Sequence, residues 1–369
     1  MEKELREIFA AYGFDSKQYI GKKIISVGHI NSSYKIYFDF GERVKRYIVQ
    51  EINTYVFKEP DLLMDNIQRV TEYAKGLLSS LGVPNYHSKF LRIFKTLDDR
   101  TYIRTTDGHY FRVYHFIEGG INLDSSTDPE IFEAGGRSIG FFQNVLANFP
   151  IESLHETIPD FHNTPKRYET FLSVLENAPK DRINVAKNEI DFFKKHSEIK
   201  DYIQPKLDNH EMPLRVTHND TKLNNIMFNN KNEGLALIDL DTVMPGSFCY
   251  DFGDFVRSAC NTAAEDEKDV SLVKFNEEFF FAFAQGYLKS VKPSIKQIEL
   301  QNLVNGSILM TYECGMRFLT DYLQGNVYFK TEYEEHNLVR ARTQIKMVQE
   351  MLDKKEHLEA GIIELFESL

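Results

Sequence analysis

Cysteines are scarce in this chain, with three among 369 residues, at Cys249, Cys260 and Cys314. Their spacing fits no paired metal-binding motif, and three cysteines cannot form a closed set of disulfides. Free thiols in a reducing compartment are therefore expected. The sequence also lacks a run of about eighteen uncharged apolar residues, which a membrane-spanning helix needs. Because the charged start, MEKELREIFA, contains no apolar signal-peptide core, we expect a cytoplasmic protein without a membrane partner.

A concentrated basic surface is missing as well. The 44 Lys and Arg residues are outnumbered by 55 Asp and Glu residues, which gives a formal net charge of −11. Since binding to nucleic-acid phosphates needs a clustered Lys/Arg face, this balance argues against a nucleic-acid partner. Small molecules are the expected partners, and the oligomeric state is left open.

The secondary-structure pattern changes once along the chain. Residues 1–118 predict a short amphipathic helix, five strands and one longer helix beginning at Pro60, with the first three strands in an antiparallel meander. Residues 119–369 are mainly helical in pattern, apart from a short β-type insertion at 214–243. The length suffices for two lobes with an apolar core each, and we expect an α+β, bilobal protein divided at about residue 118.

The β-type insertion contains the residues that point to a reaction. It reads HNDTKLNN at 218–225. Transfer of a phosphoryl group requires a protein to orient an acceptor hydroxyl and to neutralise charge on the phosphate oxygens. Asp220, on a loop between short strands, can take the hydroxyl proton as a general base. Lys222 can reach the transferring group as a mobile positive charge.

Metal ligands are available in the same region. Asn225 and Asp239 offer hard oxygen ligands, and Mg²⁺ prefers one or two of these beside water and nucleotide phosphates. For Asp241, structural support and a second metal ligand are equal alternatives. His218 is a catalytic candidate by position, but bracing of the loop through backbone hydrogen bonds is the favoured interpretation. Asp251, on the helix that follows, is expected to brace the same loop or to cap its helix.

The pattern His-x-Asp-x-Lys-x-x-Asn, followed by an acidic residue at the end of an apolar strand, resembles the catalytic loop of the protein kinases. It also resembles the loop of the aminoglycoside phosphotransferase and choline kinase group. The resemblance implies a protein-kinase-like fold that uses ATP and Mg²⁺. It also implies a nucleotide-binding lobe with a small antiparallel sheet at 1–118 and a larger, mainly helical catalytic lobe at 119–369.

The expected nucleotide grip departs from the kinase pattern at one position. Gly28, His29, Ile30 and Asn31 lie where kinases of this fold place a loop over the nucleotide phosphates, with an ordinary hairpin turn as the alternative. On the third strand, Gln50 stands where a phosphate-binding lysine is expected, and glutamine carries no positive charge. The departure admits either a specialised kinase subgroup or a chain that has lost catalysis.

Several segments closely resemble the N-acetylhexosamine 1-kinases, in order from about Gly28 to Gln344. That subgroup also lacks the strand lysine, so Gln50 argues less strongly for lost catalysis. Such kinases transfer the γ-phosphoryl group of ATP to the anomeric hydroxyl of N-acetylglucosamine or N-acetylgalactosamine. The segments are GHINSSY, YIVQEIN, IPDFHNTPKRY, THNDTKLNNIMF, IDLDTVMPG, YDFGDFVRSACNTA and GMRFLTDYLQGNVYF.

The resemblance further implies that Arg317 and Tyr328 hydrogen-bond the sugar beside Asp220. The alternative for these two residues is an ordinary contact between helices. Two other functions remain open: a kinase for another small hydroxyl compound, such as an aminoglycoside, choline or a related amino alcohol, and a non-catalytic nucleotide- or sugar-binding relative. The joint presence of base, lysine and both metal ligands favours an enzyme.

Overall fold

A computed structural model describes residues 3–25 and 31–369 of the chain. The N-terminal part contains a six-stranded antiparallel sheet of order β1-β2-β3-β6-β4, in which β5 pairs with β6 alongside β4. The predicted meander of the first three strands is confirmed. The strands are β1 (Tyr19–Ile25), β2 (Ser32–Asp39), β3 (Val44–Ile52), β4 (Ile93–Phe94), β5 (Tyr102–Arg104) and β6 (Tyr110–His115).

The sheet has one strand more than the sequence predicts. The missed strand is β5, whose three residues are too few to show the alternation of apolar and polar side chains that marks a strand. Both β4 and β5 pair with β6, at successive stretches of it. Strand β6 is therefore held on both sides, by β3 along one edge and by two short strands along the other.

Helix α1 (Lys3–Tyr12) covers one face of the sheet. Its buried residues Leu5, Ile8, Phe9 and Tyr12 recur at helical spacing, so they form one apolar stripe. This stripe packs against inward-facing residues of the sheet in a small apolar core of its own. Those residues include Ile36, Phe38, Val49, Phe111 and Val113.

Helix α2 (Pro60–Ser80) belongs to a different core. Its apolar stripe is buried together with residues of the C-terminal helices in one continuous cluster, so the expectation of a separate core for each lobe is wrong for this helix. Polar groups of α2 contact the C-terminal part as well. Asn66, which is buried, donates hydrogen bonds to the carbonyl oxygens of Val243 at 3.0 Å and His155 at 2.8 Å.

The C-terminal part is helical, with two small pairs of strands. As predicted, the insertion at 214–243 contains strands: β7 (Arg215–Thr217) and a hairpin of β8 (Ile226–Phe228) and β9 (Gly234–Leu237). Strand β7 pairs with β10 (Met244–Gly246), which lies beyond the predicted insertion. The helices are α3 (Pro129–Val145), α4 (Thr164–Asn177), α5 (Lys180–Val185), α6 (Lys187–Lys195), α7 (Gln204–Asp208), α8 (Phe248–Ala259), α9 (Glu277–Val291), α10 (Gln297–Leu300), α11 (Leu303–Gln324), α12 (His336–Asp353) and α13 (Lys355–Ser368).

Glycines allow two pairs of these helices to approach closely. A Cβ atom added to Gly136 of α3 would lie 2.1 Å from the carbonyl oxygen of Phe283 in α9. A Cβ added to Gly253 of α8 would lie 2.4 Å from the carbonyl oxygen of Gly306 in α11. Real Cβ atoms do not approach a backbone so closely, so these glycines set the spacing of the helical core.

The remaining sequence expectations concern the cysteines and the membrane. All three cysteines carry free thiols, as expected, and Cys249 and Cys260 are buried. Among the helices within residues 3–25 and 31–369, none combines the length and the apolar character that crossing a bilayer requires.

The close approach of α3 and α9 predicts the effect of an alanine. Gly136→Ala should lower the free energy of unfolding by about 1–3 kcal/mol, because the added methyl group forces the helices apart. Urea unfolding measures the change. Gly76→Ala in α2 is the control, since a Cβ there meets nothing within 4 Å, and it should raise stability by about 0.5–1 kcal/mol. Similar values for the two variants would refute this packing argument.

Candidate active site

The polar residues of the β-type insertion gather at one cavity. The cavity has a volume of about 250 Å³ and lies between the N-terminal sheet and the loop that joins β7 to β8. Asp220, Lys222, Asn225 and Asp239 all line it. The opposite wall comes from the sheet and from the segment after β6, and includes Asn31, Ser33, Ile48, Gln50, His115, Phe116 and Ile117.

The loop after β7 is held by the carboxylate of Asp251, which is fully buried on α8. Its two oxygens accept hydrogen bonds from the backbone N–H groups of His218 at 2.9 Å and Asn219 at 2.7 Å. Gln143 of α3 donates a further hydrogen bond to the same carboxylate, at 2.9 Å. Asn219 has a φ of 63°, a left-handed conformation that asparagine tolerates better than most residues. The hydrogen bonds predicted for Asp251 are therefore present.

His218 uses both ring nitrogens inside the protein. Nε2 lies 2.9 Å from the carbonyl oxygen of Ile238, and Nδ1 lies 3.3 Å from the backbone nitrogen of Asp220. In a neutral imidazole, Nε2 donates to the carbonyl and Nδ1 accepts from the N–H group. These contacts favour the bracing role of His218 over a direct part in proton transfer.

Asp220 forms the centre of a short polar cluster. Its Oδ1 lies 2.6 Å from Nζ of Lys222, and its Oδ2 accepts a hydrogen bond of 3.0 Å from Nδ2 of Asn225. Burial opposes ionisation of Asp220, but the charge and the hydrogen bond of Lys222 outweigh it, so the pKa of Asp220 is lowered. Burial likewise disfavours the charge of Lys222, and the carboxylates of Asp220 and Asp254 nevertheless raise its pKa. Asp220 is thus held as a carboxylate that can accept a proton.

The environment of Asn225 and Asp239 suits a magnesium ion. Nδ2 of Asn225 donates to the carbonyl oxygen and to Oδ2 of Asp220, which leaves Oδ1 without a donor among the described residues. Burial, followed by the nearby charges of Asp241 and Asp220, raises the pKa of Asp239 to about 7. A divalent cation would relieve this crowding of negative charge.

The described residues contain no cluster of three or more His, Cys, Asp or Glu side chains arranged around a metal ion. A pair such as Asn225 and Asp239 is what Mg²⁺ uses when nucleotide phosphates and water complete its coordination. The donor set therefore fits a nucleotide-bound magnesium ion.

Asp241 has a different environment from Asp239. Its Oδ1 lies 2.5 Å from Nη2 of Arg112, and its Oδ2 accepts a hydrogen bond of 2.5 Å from Nδ2 of Asn31. It is buried and does not line the cavity. Because both carboxylate oxygens already have protein partners, the contacts favour structural support over a second metal ligand.

The structure describes two of the five predicted nucleotide-binding residues, Asn31 and Gln50. Gly28, His29 and Ile30 lie outside the described residues. Asn31 lines the cavity, and its Oδ1 also accepts a hydrogen bond of 2.9 Å from the backbone nitrogen of Asn53. Gln50 lines the cavity from β3.

Arg112 is the functional candidate that the sequence prediction missed. It is 1% exposed and lies on β6, directly opposite Gln50 of β3 in the strand register. A lone arginine inside the apolar strand YFRVYH is the signal that could have found it, because a buried charge needs a specific partner.

Arg317 of α11 lies beside Tyr328, which follows that helix, but neither residue lines the cavity that contains Asp220. The guanidinium carbon of Arg317 is 5.8 Å from the ring centre of Tyr328 and 5.7 Å from that of Phe161. Nδ1 of the neighbouring His162 lies 2.8 Å from Oε1 of Glu313, and Nε2 lies 3.3 Å from the carbonyl oxygen of Asn219. This group of residues is therefore connected to the catalytic loop through His162.

A comparison with family profiles decides the affiliation of the chain. The profile of the phosphotransferase enzyme family, APH, matches residues 38–288, a range that contains all the cavity residues of the β-type insertion. The chain belongs to this phosphotransferase family. The description of the family is that of enzymes that transfer phosphate.

Solved structures confirm the protein-kinase-like fold of this phosphotransferase. The Plasmodium vivax ethanolamine kinase is 15% identical, with 92% of this chain and 87% of that chain covered at a TM-score of 0.55. A choline/ethanolamine kinase family protein from Mesorhizobium loti is 13% identical, with 97% and 98% covered at a TM-score of 0.59. A spectinomycin phosphotransferase in complex with ADP and spectinomycin is 15% identical, with 96% and 98% covered at a TM-score of 0.55.

The hydrogen bonds of Asp251 predict a large effect of its removal. Asp251→Ala should lower the free energy of unfolding by about 3 kcal/mol or more, because three buried donors lose their acceptor. Urea unfolding measures the loss. Asp124→Ala, at an exposed position, is the control and should change stability by less than about 0.5 kcal/mol. A loss below about 1 kcal/mol in Asp251→Ala would show that the carboxylate does not hold the loop.

Proposed function

We propose that this phosphotransferase transfers the γ-phosphoryl group of ATP to the anomeric hydroxyl of N-acetylglucosamine or N-acetylgalactosamine. The observation that carries the proposal is the shared cavity of Asp220, Lys222, Asn225 and Asp239. A cavity lined by a base, a cation and two oxygen ligands is what a kinase needs for a hydroxyl acceptor. We further propose that ATP lies between residues 1–118 and 119–369, and that the reaction takes place in the cytoplasm.

The chemical roles follow from the contacts of each side chain. Asp220 takes the proton of the acceptor hydroxyl while the hydroxyl oxygen bonds to the γ-phosphorus. The bond from that phosphorus to the bridging oxygen breaks, and ADP leaves. Nζ of Lys222 lies 2.6 Å from Oδ1 of Asp220. On its flexible side chain, this positive charge can also contact the phosphoryl group during transfer. Asn225 Oδ1 and Asp239 would hold Mg²⁺, which neutralises charge on the phosphate oxygens when it is bound with ATP.

The charge near the catalytic loop supports a neutral acceptor. Arg317 and Arg167 are both cationic and both close to Phe161: Arg167 donates hydrogen bonds of 3.4 and 3.2 Å to its carbonyl oxygen. The nearby carboxylate of Glu313 already accepts from Thr164 at 2.6 Å and lies 2.8 Å from His162. Two guanidinium groups would repel the ammonium group of choline, ethanolamine or an aminoglycoside, whereas they can donate hydrogen bonds to sugar hydroxyl and amide oxygens.

An amino-alcohol kinase is the second candidate. It is favoured by the similarity to structures described as ethanolamine, choline/ethanolamine and aminopropanol kinases. At 13–15% identity these structures carry the fold and leave the acceptor open. The two candidates share Asp220 as base and differ in the acceptor alone, so an acceptor panel separates them.

The panel should contain N-acetylglucosamine, N-acetylgalactosamine, glucose, choline, ethanolamine and an aminoglycoside, each with ATP and Mg²⁺. Phosphorus NMR then locates the new phosphate. We expect an anomeric phosphate on the N-acetylated sugars. Phosphate on an amino alcohol or aminoglycoside would replace the acceptor and keep the mechanism, and tight nucleotide binding without transfer to any acceptor would favour a non-catalytic binding protein.

Asp220→Asn tests the base. It should lower kcat by on the order of 10²–10⁴, because the amide cannot take the hydroxyl proton, while the affinity for ADP in calorimetry stays near that of the parent. Asp124→Asn repeats the charge change at an exposed site and should leave kcat unchanged. An unaltered kcat in Asp220→Asn would remove Asp220 from the reaction.

Arg317→Ala tests the acceptor site. It should raise KM for the sugar about tenfold or more while KM for ATP changes little, because the variant loses hydrogen bonds to the acceptor alone. Arg69→Ala, which removes an arginine paired with Asp65 on the exposed side of α2, is the control and should change neither constant. Equal increases in both KM values would argue against a sugar contact for Arg317.

A further inference from the structure

The wall of the cavity contains a chain of hydrogen bonds that begins at a buried charge. Arg112 donates from Nε and from Nη2 to Oε1 of Gln50, at 2.9 and 2.6 Å. Nε2 of Gln50 donates in turn to Oγ of Ser33, at 2.9 Å. The three residues lie on β6, β3 and β2, which are adjacent strands of the sheet.

The direction of this chain is fixed by chemistry. A guanidinium group has donors and no acceptor, so the atom of Gln50 that faces Arg112 has to be the carbonyl oxygen. The amide nitrogen is therefore turned away from Arg112, towards Ser33. Arg112 on β6 thus determines that the amide nitrogen of Gln50 faces Ser33 on β2.

At the Ser33 end of this series of hydrogen bonds, two hydrogens have no acceptor among the described residues. Nε2 of Gln50 carries a second hydrogen, and Ser33, whose Oγ accepts the first, still has its own hydroxyl hydrogen. Both side chains line the cavity together with Asp220 and Asp239, and Ser33 is only 7% exposed. Donors in so enclosed a wall are suited to an anionic ligand.

We propose that Gln50 and Ser33 donate hydrogen bonds to the phosphate chain of the nucleotide, and that Arg112 is the positioning residue that orients them. The pair takes the place of the lysine that kinases of this fold carry at the position of Gln50. Because it concerns the nucleotide alone, this inference rests on the use of ATP in the proposed function and is independent of the acceptor.

Arg112 also connects this wall to the metal-binding segment. Its Nη2 lies 2.5 Å from Oδ1 of Asp241, two residues beyond Asp239. Burial disfavours the charge of Arg112, and the carboxylate of Asp241 nevertheless raises its pKa. One buried guanidinium group therefore contacts both Gln50, a proposed hydrogen-bond donor to phosphate, and the segment that contains Asp239, and it fixes their relative positions.

The test is equilibrium binding of ADP, compared with adenosine, by calorimetry and without any sugar present. Ser33→Ala removes one donor and should weaken ADP binding about fivefold to tenfold. Gln50→Glu keeps an oxygen for Arg112 but replaces the donating nitrogen with an acceptor, and should weaken ADP binding at least tenfold. Adenosine, which lacks phosphates, should bind both variants as it binds the parent.

Gln349→Glu, on an exposed position of α12, is the matched control for the change of charge and should bind ADP normally. ADP affinity within twofold of the parent in Ser33→Ala and Gln50→Glu would overturn the proposal. An equal loss of ADP and adenosine affinity would overturn it too, because the effect would then not lie at the phosphates. Normal phosphate-dependent binding without sugar phosphorylation would instead count against the proposed acceptor.

The role of Arg112 is tested by Arg112→Met and Arg112→Lys. Arg112→Met should raise KM for ATP about tenfold or more and leave KM for the acceptor nearly unchanged. Arg112→Lys, which keeps the charge on a single donating nitrogen, should recover part of the loss. Should Arg112→Met fail to fold, Arg112→Lys carries the test through its KM for ATP. A parental KM for ATP in a folded Arg112 variant would remove the positioning role.

Discussion

The buried carboxylate of Asp251 determines where the catalytic loop lies. Its oxygens accept hydrogen bonds from the backbone N–H groups of His218 and Asn219. The next residue, Asp220, is therefore held in a fixed orientation towards the cavity. Helix α8 is in turn fixed by a Ser247 cap and by its close contact with α11 at Gly253. The helical core thus orients this loop through one ionisable side chain, and the carboxylate of Asp220 is positioned by the same contacts.

The second half of the site depends on contacts between the sheet and the C-terminal part. Arg112 and Asn31 hold Asp241 from the side of the sheet, and Asn66 of α2 holds the carbonyl oxygen of Val243. Because these bonds converge on the segment that follows β9, the position of Asp239 depends on both parts of the chain. The loop that contains Asp220 and the N-terminal sheet are therefore joined by hydrogen bonds as well as by apolar packing.

The sequence predicted the parts of the site that lie close together in the chain. Asp220, Lys222 and Asn225 share one short loop, and their side-chain types already limit the chemistry, so the motif alone indicated that they act together. Arg112 was missed because its partners Gln50 and Asp241 are distant in sequence and meet it only across strands. Strand β5 was too short to show a pattern, and the inclusion of α2 in the larger core follows from tertiary contacts that periodicity does not reveal.

The central claim is that the acceptor's own hydroxyl oxygen attacks the γ-phosphorus, the step in which Asp220 would take the hydroxyl proton. The most direct measurement uses N-acetylglucosamine freshly labelled with ¹⁸O in its anomeric hydroxyl, with phosphorus NMR of the sugar phosphate formed from unlabelled ATP. The account predicts an isotope-shifted phosphorus signal, because the labelled oxygen becomes the bridge between carbon and phosphorus. A product with no ¹⁸O in that bridge would contradict it, since the bond to the anomeric carbon would then have broken in place of the bond to hydrogen.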